Sequence, residues 1–223
     1  MIRIEDVTRR YPDGRTALRS VRLEVDPGEL VFLGGPSGAG KTTLLRLIAG
    51  IDRPTRGSVR LNGQELRRLG APALEALRRN IGLVFQDHRL LFDRSVRENV
   101  ALPVRIQGLR AHEIERRVGA ALERVGLGGR ATDSPLTLSG GERQRLCIAR
   151  ALVGKPALIL ADEPTASLDA EYGEAILELF RSFNQAGVTT VIATHDERLI
   201  GRLGGRLVHM QSGEVVSDGR VLA

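Results

Sequence analysis

Between the apolar run Leu30–Leu33 and the pair Leu44–Leu45, the chain carries GPSGAGKT, Gly35–Thr42. Four glycines fall within the seven residues from Gly34 to Gly40. A buried strand leading into such a loop, with a helix leaving it, has few ways to fold. The glycines open backbone conformations closed to other residues. The loop N–H groups then converge at a helix N-terminus, where the dipole favours a phosphate chain. The spacing matches G-x-x-x-x-G-K-[ST] in full. Lys41 and Lys155 are the only lysines among 33 basic residues, so a lysine has been kept where arginine is otherwise used. A compact ammonium on a flexible stem reaches β- and γ-phosphates, where a planar guanidinium fits poorly. Thr42 offers a hydroxyl to Mg²⁺. Gly35, Pro36, Ser37, Gly38, Ala39, Gly40, Lys41, Thr42 and Thr43 are the predicted triphosphate-binding segment.

A second segment, LILADEP at Leu158–Pro164, carries an acidic pair to the C-terminal end of an apolar strand. In a doubly wound sheet that end lies beside the loop. Asp162 is the candidate to hold Mg²⁺ through water, and Glu163 the candidate general base for an attacking water. A third segment, LSGGERQ at Leu138–Gln144, opens a helix with Ser139, Gly140 and Gly141. It reads as a second phosphate site at a helix start, or as an ordinary N-cap at Ser139. The first two segments together imply hydrolysis of a nucleoside triphosphate.

The rest of the 223 residues sets the frame. Hydrophobic residues make up 42% and aromatics only 3%, so the core must be aliphatic. Cys147 is the sole cysteine, which excludes an internal disulfide and fits a reducing compartment. No signal sequence and no apolar run of about 20 residues is legible. The net charge of +6 permits contact with nucleic acid or an anionic membrane. Aromatic stacking platforms are scarce, and no specific nucleic acid is expected.

Short alternating strands open the chain. Buried strands at LVFLGG, IGLVFQ, ALILADE and VTTVIATH then alternate with helices, predicting a mostly parallel α/β sheet. Helices are expected over 42–49, 73–80, 141–152 and 170–186. A mainly helical stretch is expected over 95–121, with a break near Pro103 and Gly108. A hairpin closes the chain. The expected organisation is a single domain, with a core of about 1–86 and 157–223 and an inserted helical subdomain of about 87–156.

Taken together, these motifs resemble the ABC ATPase family over nearly the whole chain. Beside the three segments above, Gln86 after IGLVF resembles the Q-loop glutamine, SLD at Ser167–Asp169 the D-loop, and His195 the switch histidine. Tyr11 sits where the family has its adenine-stacking aromatic. The resemblance implies a P-loop NTPase core with an N-terminal antiparallel β-subdomain, using ATP and Mg²⁺. It implies a head-to-tail homodimer, with ATP on the P-loop of one subunit and under Ser139, Gly140 and Gly141 of the other. Glu163, His195 and Gln86 are then the catalytic set. Thr42, Gln86 and Asp162 are the metal set, and Asp169 lies at the interface. The run LLFDRSVRENVALP further resembles the cell-division branch of the family. That branch implies an FtsX-like integral membrane protein as partner and peripheral attachment to the cytoplasmic face of the inner membrane. A lipoprotein-release or peptide exporter is the alternative, and a soluble ABC protein linked to nucleic acid the remote one.

Overall fold

The computed structural model describes residues 1–166 and 168–221. Strands β1 (Ile2–Arg10) and β2 (Thr16–Val25) form an antiparallel pair. Their turn is closed by the Tyr11 N–H on the Arg15 carbonyl, at 2.9 Å. Strand β3 (Leu30–Gly34) leads into the glycine-rich loop, and α1 (Lys41–Ile48) leaves it. The chain then returns through β4 (Arg56–Leu61) and β5 (Gln64–Glu65), completing a four-stranded antiparallel sheet in the order β2-β1-β4-β5.

After α2 (Ala71–Arg78) come β6 (Ile81–Val84) and three helices, α3 (Val96–Ile106), α4 (Ala111–Arg124) and α5 (Gly140–Leu152). The remainder is β7 (Leu158–Asp162), α6 (Ala170–Gln185), β8 (Thr189–Ala193), α7 (Glu197–Leu203), β9 (Gly205–Gln211) and β10 (Glu214–Val221). The second sheet runs β10-β9-β3-β8-β7-β6, parallel throughout except for β10 against β9.

Both faces of that sheet are covered, which explains the unbroken apolar runs. Val31, Leu33, Leu160 and Val191 face α1 and the antiparallel sheet. Phe32, Ile159, Ala161 and Ile192 face a second core built with α3, α4, α5 and α6. The helices begin where the chemistry places caps. Ser95 and Glu98 form a reciprocal capping box at α3, and Ser139 and Glu142 form another at α5.

Three local expectations change. The first α-helix after β5 starts at Ala71 rather than Ala73. Helix α3 runs through Pro103 to Ile106 and stops at Gly108, whose φ is 79°. Pro103 lies in the last turn, so it removes one hydrogen bond rather than ending the helix. Helix α7, too short for a readable apolar period, was not expected.

The register fixes the geometry of the site. Leu33 of β3 pairs with Ala193 of β8, and Ala193 with Asp162 of β7. The glycine-rich loop and the acidic pair therefore leave the same edge at the same height, with β8 between them, about 10 Å apart. Val84 of β6 pairs with Ala161, so Gln86 emerges at this edge on the far side of Asp162.

Candidate functional site

Gly35 and Gly40 sit at φ 126° and 104°, conformations that carry the chain from β3 around into α1. A Cβ on Gly35 would lie 2.1 Å from the Met210 carbonyl oxygen, and one on Gly40 would lie 2.7 Å from that of Ala17. The loop is thus pressed against the closing hairpin, and the Gly213 N–H donates to the Ala39 carbonyl at 3.1 Å. Gly40 caps α1 without any side-chain hydrogen bond, leaving the first-turn N–H groups to an outside acceptor. Pro36, Ser37, Gly38 and Thr42 are exposed around that opening, and Thr43 is half-buried.

Lys41 is only 7% exposed. Its ammonium donates to the carbonyls of Gly35 at 2.5 Å and Pro36 at 3.0 Å. An ammonium has three donors, so one remains for a phosphate oxygen lying in the loop.

Asp162, at the end of β7, is 5% exposed. Burial raises its pKa above the ordinary carboxylate value, while Thr42 and Lys41 pull it back. A carboxylate stripped of water with a hydroxyl beside it suits a hard cation. The Thr42 hydroxyl, the Asp162 carboxylate and the Gln86 amide carbonyl are all oxygen donors, so the donor set fits Mg²⁺. Gln86 is exposed in the turn after β6.

Glu163 takes φ 48°, an uncommon conformation for a side chain of its size. Its N–H is fixed to the Ala193 carbonyl at 2.8 Å. The carboxylate accepts from the Thr194 hydroxyl at 3.2 Å and meets His195 Nδ1 at 2.8 Å. Glu163 is largely enclosed, its side chain 13% exposed, whereas that of His195 is 70% exposed. Glu163, His195 and Asp169 line one open cavity of about 760 Å³, which the glycine-rich loop does not reach.

Ser139 caps α5, its hydroxyl accepting from the Glu142 N–H at 3.2 Å. The capping role and an exposed position coexist there, since Ser139 and Gly140 are exposed and Gly141 is half-buried. The same helix is tied to the acidic strand by Gln144, whose amide donates to the Pro164 carbonyl at 2.9 Å. Asp169 caps α6 by accepting from the Tyr172 N–H at 2.9 Å. Ser167, the first residue of the expected D-loop, lies outside the described residues.

Tyr11 stands beside the loop, its hydroxyl 3.4 Å from that of Thr43 and 3.3 Å from Asp52 Oδ2. Sequence reasoning did not anticipate its neighbours. The guanidinium carbons of Arg9 and Arg15 lie 4.7 and 5.0 Å from the ring centroid. A second unanticipated feature follows Gln86. His88 and Arg89 both adopt positive φ, 56° and 47°. Arg150 on α5 donates to both their carbonyls at 2.6 Å, and the Cys147 thiol donates to that of His88 at 3.0 Å. The three-residue spacing of Cys147 and Arg150 puts them on one helix face, which was the available signal.

A family model described as ABC transporter matches residues 18–166. The cell division ATP-binding protein FtsE of Escherichia coli K12 is 51% identical over 96% of this chain and 97% of its own length. FtsE of Mycobacterium tuberculosis is 42% identical over 98% and 95%. Among solved structures, a dimeric bacterial ABC transporter cassette, MJ0796, superposes with a TM-score of 0.95 at 37% identity over the whole of both chains. The same cassette as a dimer in a post-hydrolysis state with ADP and Pi gives 0.94 at 36%, again over both whole chains.

Proposed function

The chain belongs to the ABC transporter family, and we propose that it is the ATP-hydrolysing subunit of a membrane complex acting in bacterial cell division. The observation that carries the chemistry is the shared strand edge. There Lys41 and the uncapped start of α1 stand level with Asp162, and Glu163 is held by Thr194 and His195. ATP lies with its phosphates along Gly35–Thr43 and its base on Tyr11, displacing Arg9 or Arg15 from the ring. Thr42, Asp162 and Gln86 would hold Mg²⁺, which would neutralise charge on the phosphate oxygens. Glu163 takes the proton of a water that attacks the γ-phosphorus, and the bond from that phosphorus to the bridging oxygen breaks, so that ADP leaves and phosphate is formed. His195 holds the carboxylate through Nδ1 and leaves its other nitrogen to the γ-phosphate.

Two features support a homodimer with ATP between subunits. The phosphate loop is an open surface in a single chain, and Ser139 and Gly140 present an equally open helix start. In the dimer, Ser139, Gly140 and Gly141 of one subunit cover the phosphates of the other, with Asp169 at the seam. Helical segment 87–156 acts as a subdomain against a core of 1–86 and 157–223.

The partner reading rests on a groove of about 560 Å³ between α2, β6 and α3. Phe85 and Arg89, flanking the turn after Gln86, line it together with Leu102 and Ile106, which are 37% and 53% exposed. An FtsX-like integral membrane protein seats a short helix there and holds the chain peripherally at the cytoplasmic face of the inner membrane. Among the described residues no helix is long and apolar enough to cross a membrane. The test is co-purification from solubilised membranes with wild type and Ile106→Glu. The wild type should bring down a small membrane protein of this kind, and the variant should lose it while hydrolysing ATP normally. Retention by the variant, or recovery of a transporter permease instead, refutes the partner reading.

A further inference from the structure

On the opposite side of α5 from the turn after Gln86, a second trough of about 550 Å³ runs between α4 and α6 over the end of α5. Its floor is aliphatic and aromatic, from Leu152, Val153, Leu179 and Phe183. Leu179 and Phe183 are only partly buried, lying at the surface of the larger core rather than inside it. The rim is cationic. Arg116, Arg117 and Arg124 line it from α4, and Lys155 lines it from the residues after α5. Among the described residues no acid lines it, although α4 carries Glu113, Glu115 and Glu123.

Elsewhere the arginines are often paired. Arg3 meets Glu24, Arg22 meets Asp6, Arg46 meets Asp52, and Arg206 meets both Glu29 and Asp218. Among the described residues none of the four rim cations is in an ion pair, and Arg117 Nε is enclosed without a hydrogen-bond partner. Lys155 and Arg124 have a local reason to be there, since a cation just after α5 or in the last turn of α4 complements the helix dipole. Arg116 and Arg117 have no such reason, because they project from the middle of α4.

From this combination we infer that the trough is a docking site for an acidic amphipathic helix of a protein partner, separate from the groove beside Gln86. The apolar floor offers seats for residues spaced i, i+3/i+4 and i+7, as helix-in-groove recognition needs. The unpaired rim selects carboxylates flanking that stripe and disfavours a basic helix. A lipid surface is a poorer match, because the cations stand along the α4 side and the end of α5 beside a recessed apolar floor rather than lying across a flat face.

The test uses the whole chain and three fluorescein-labelled helical peptides in an anisotropy titration. One has a leucine stripe flanked by glutamates, one the same stripe flanked by lysines, and one the glutamates without the stripe. The acidic amphipathic peptide should bind saturably, at least about tenfold tighter than the other two. Arg117→Glu/Arg124→Glu should weaken that binding by about tenfold or more, and the Arg117→Lys/Arg124→Lys form should retain most of it. Ala120→Trp, which narrows the mouth of the trough without touching its charges, should weaken it too. ATP turnover measured in parallel should be the same in all variants, so failure here is distinct from failure of the ATPase reading. Equal binding of the acidic and basic peptides, or unchanged affinity in the charge-reversed and Ala120→Trp forms, overturns the inference. So does charge-dependent sedimentation with anionic phosphatidylglycerol vesicles in the absence of peptide binding, which reassigns the rim to lipid.

Discussion

The phosphate loop contains two glycines, Gly35 and Gly38, whose surroundings the structure separates sharply. Gly35 at φ 126° would place a Cβ 2.1 Å from the Met210 carbonyl oxygen, roughly 1 Å short of van der Waals contact. Gly38 at φ 79° would meet nothing within 4 Å. Alanine at Gly38 therefore carries only the backbone penalty for positive φ, about 1 kcal/mol. Alanine at Gly35 carries a backbone penalty of about 1–3 kcal/mol. It must also push the loop off β9. That shift disturbs the Lys41 bond to the Gly35 carbonyl, a charge-assisted contact worth about 2 kcal/mol. The sum is about 3–5 kcal/mol, which for a chain of this size lowers Tm by about 10 °C. Gly38→Ala should lower it by about 3 °C. Thermal unfolding without nucleotide isolates this effect, since no phosphate then competes for the space around Gly38. Equal midpoints for the two variants, or a wild-type midpoint for Gly35→Ala, would refute the reasoning.

Two further outcomes follow from buried polar groups. Asn99 is fully buried, and its amide makes four hydrogen bonds to the backbone of Leu91, Arg94 and Ser95. Asn99→Ala should cost about 3 kcal/mol in urea unfolding, and a loss below about 1 kcal/mol would show that water replaces the amide. Burial pushes the Cys147 thiol from 9.0 up to about 12. The folded chain therefore keeps this proton where the unfolded chain releases it. Stability from this group is complete below pH 9.0 and declines as pH rises toward about 12. A pH series of unfolding midpoints for wild type and Cys147→Ala should show the wild type losing more over that range, and parallel curves would contradict it.

What the sequence made legible was set by chemistry local in the chain. A phosphate cradle needs glycines at fixed offsets and a lysine after them, so Gly35–Thr42 could be read without knowing any neighbour. The doubly buried sheet was legible because covering both faces writes continuous apolar runs such as Leu158–Ala161. Long-range register was not legible. Which nitrogen of His195 meets Glu163 depends on residues 32 apart, and the close pass of Gly35 under Met210 depends on a hairpin at the other end of the chain. The guanidinium groups on Tyr11 escaped because arginine is so common here that Arg9 and Arg15 carried no signal. The left-handed pair His88–Arg89 escaped because neither residue type marks positive φ as glycine does. At Pro103 the local rule was right in kind and misplaced, since a proline in the last turn of a helix has little left to break.

The central claim is that Glu163 is the base for a water attacking ATP held between two copies of this chain. Its most direct test is Glu163→Gln, which keeps the shape and removes the basic oxygen. Mass is followed by light scattering and turnover by phosphate release, with Mg²⁺ and ATP present. Hydrolysis should fall by about 100-fold or more, and the variant should run at twice the monomer mass with ATP unhydrolysed. A variant that hydrolyses at the wild-type rate, or that stays monomeric with ATP bound, would contradict the account.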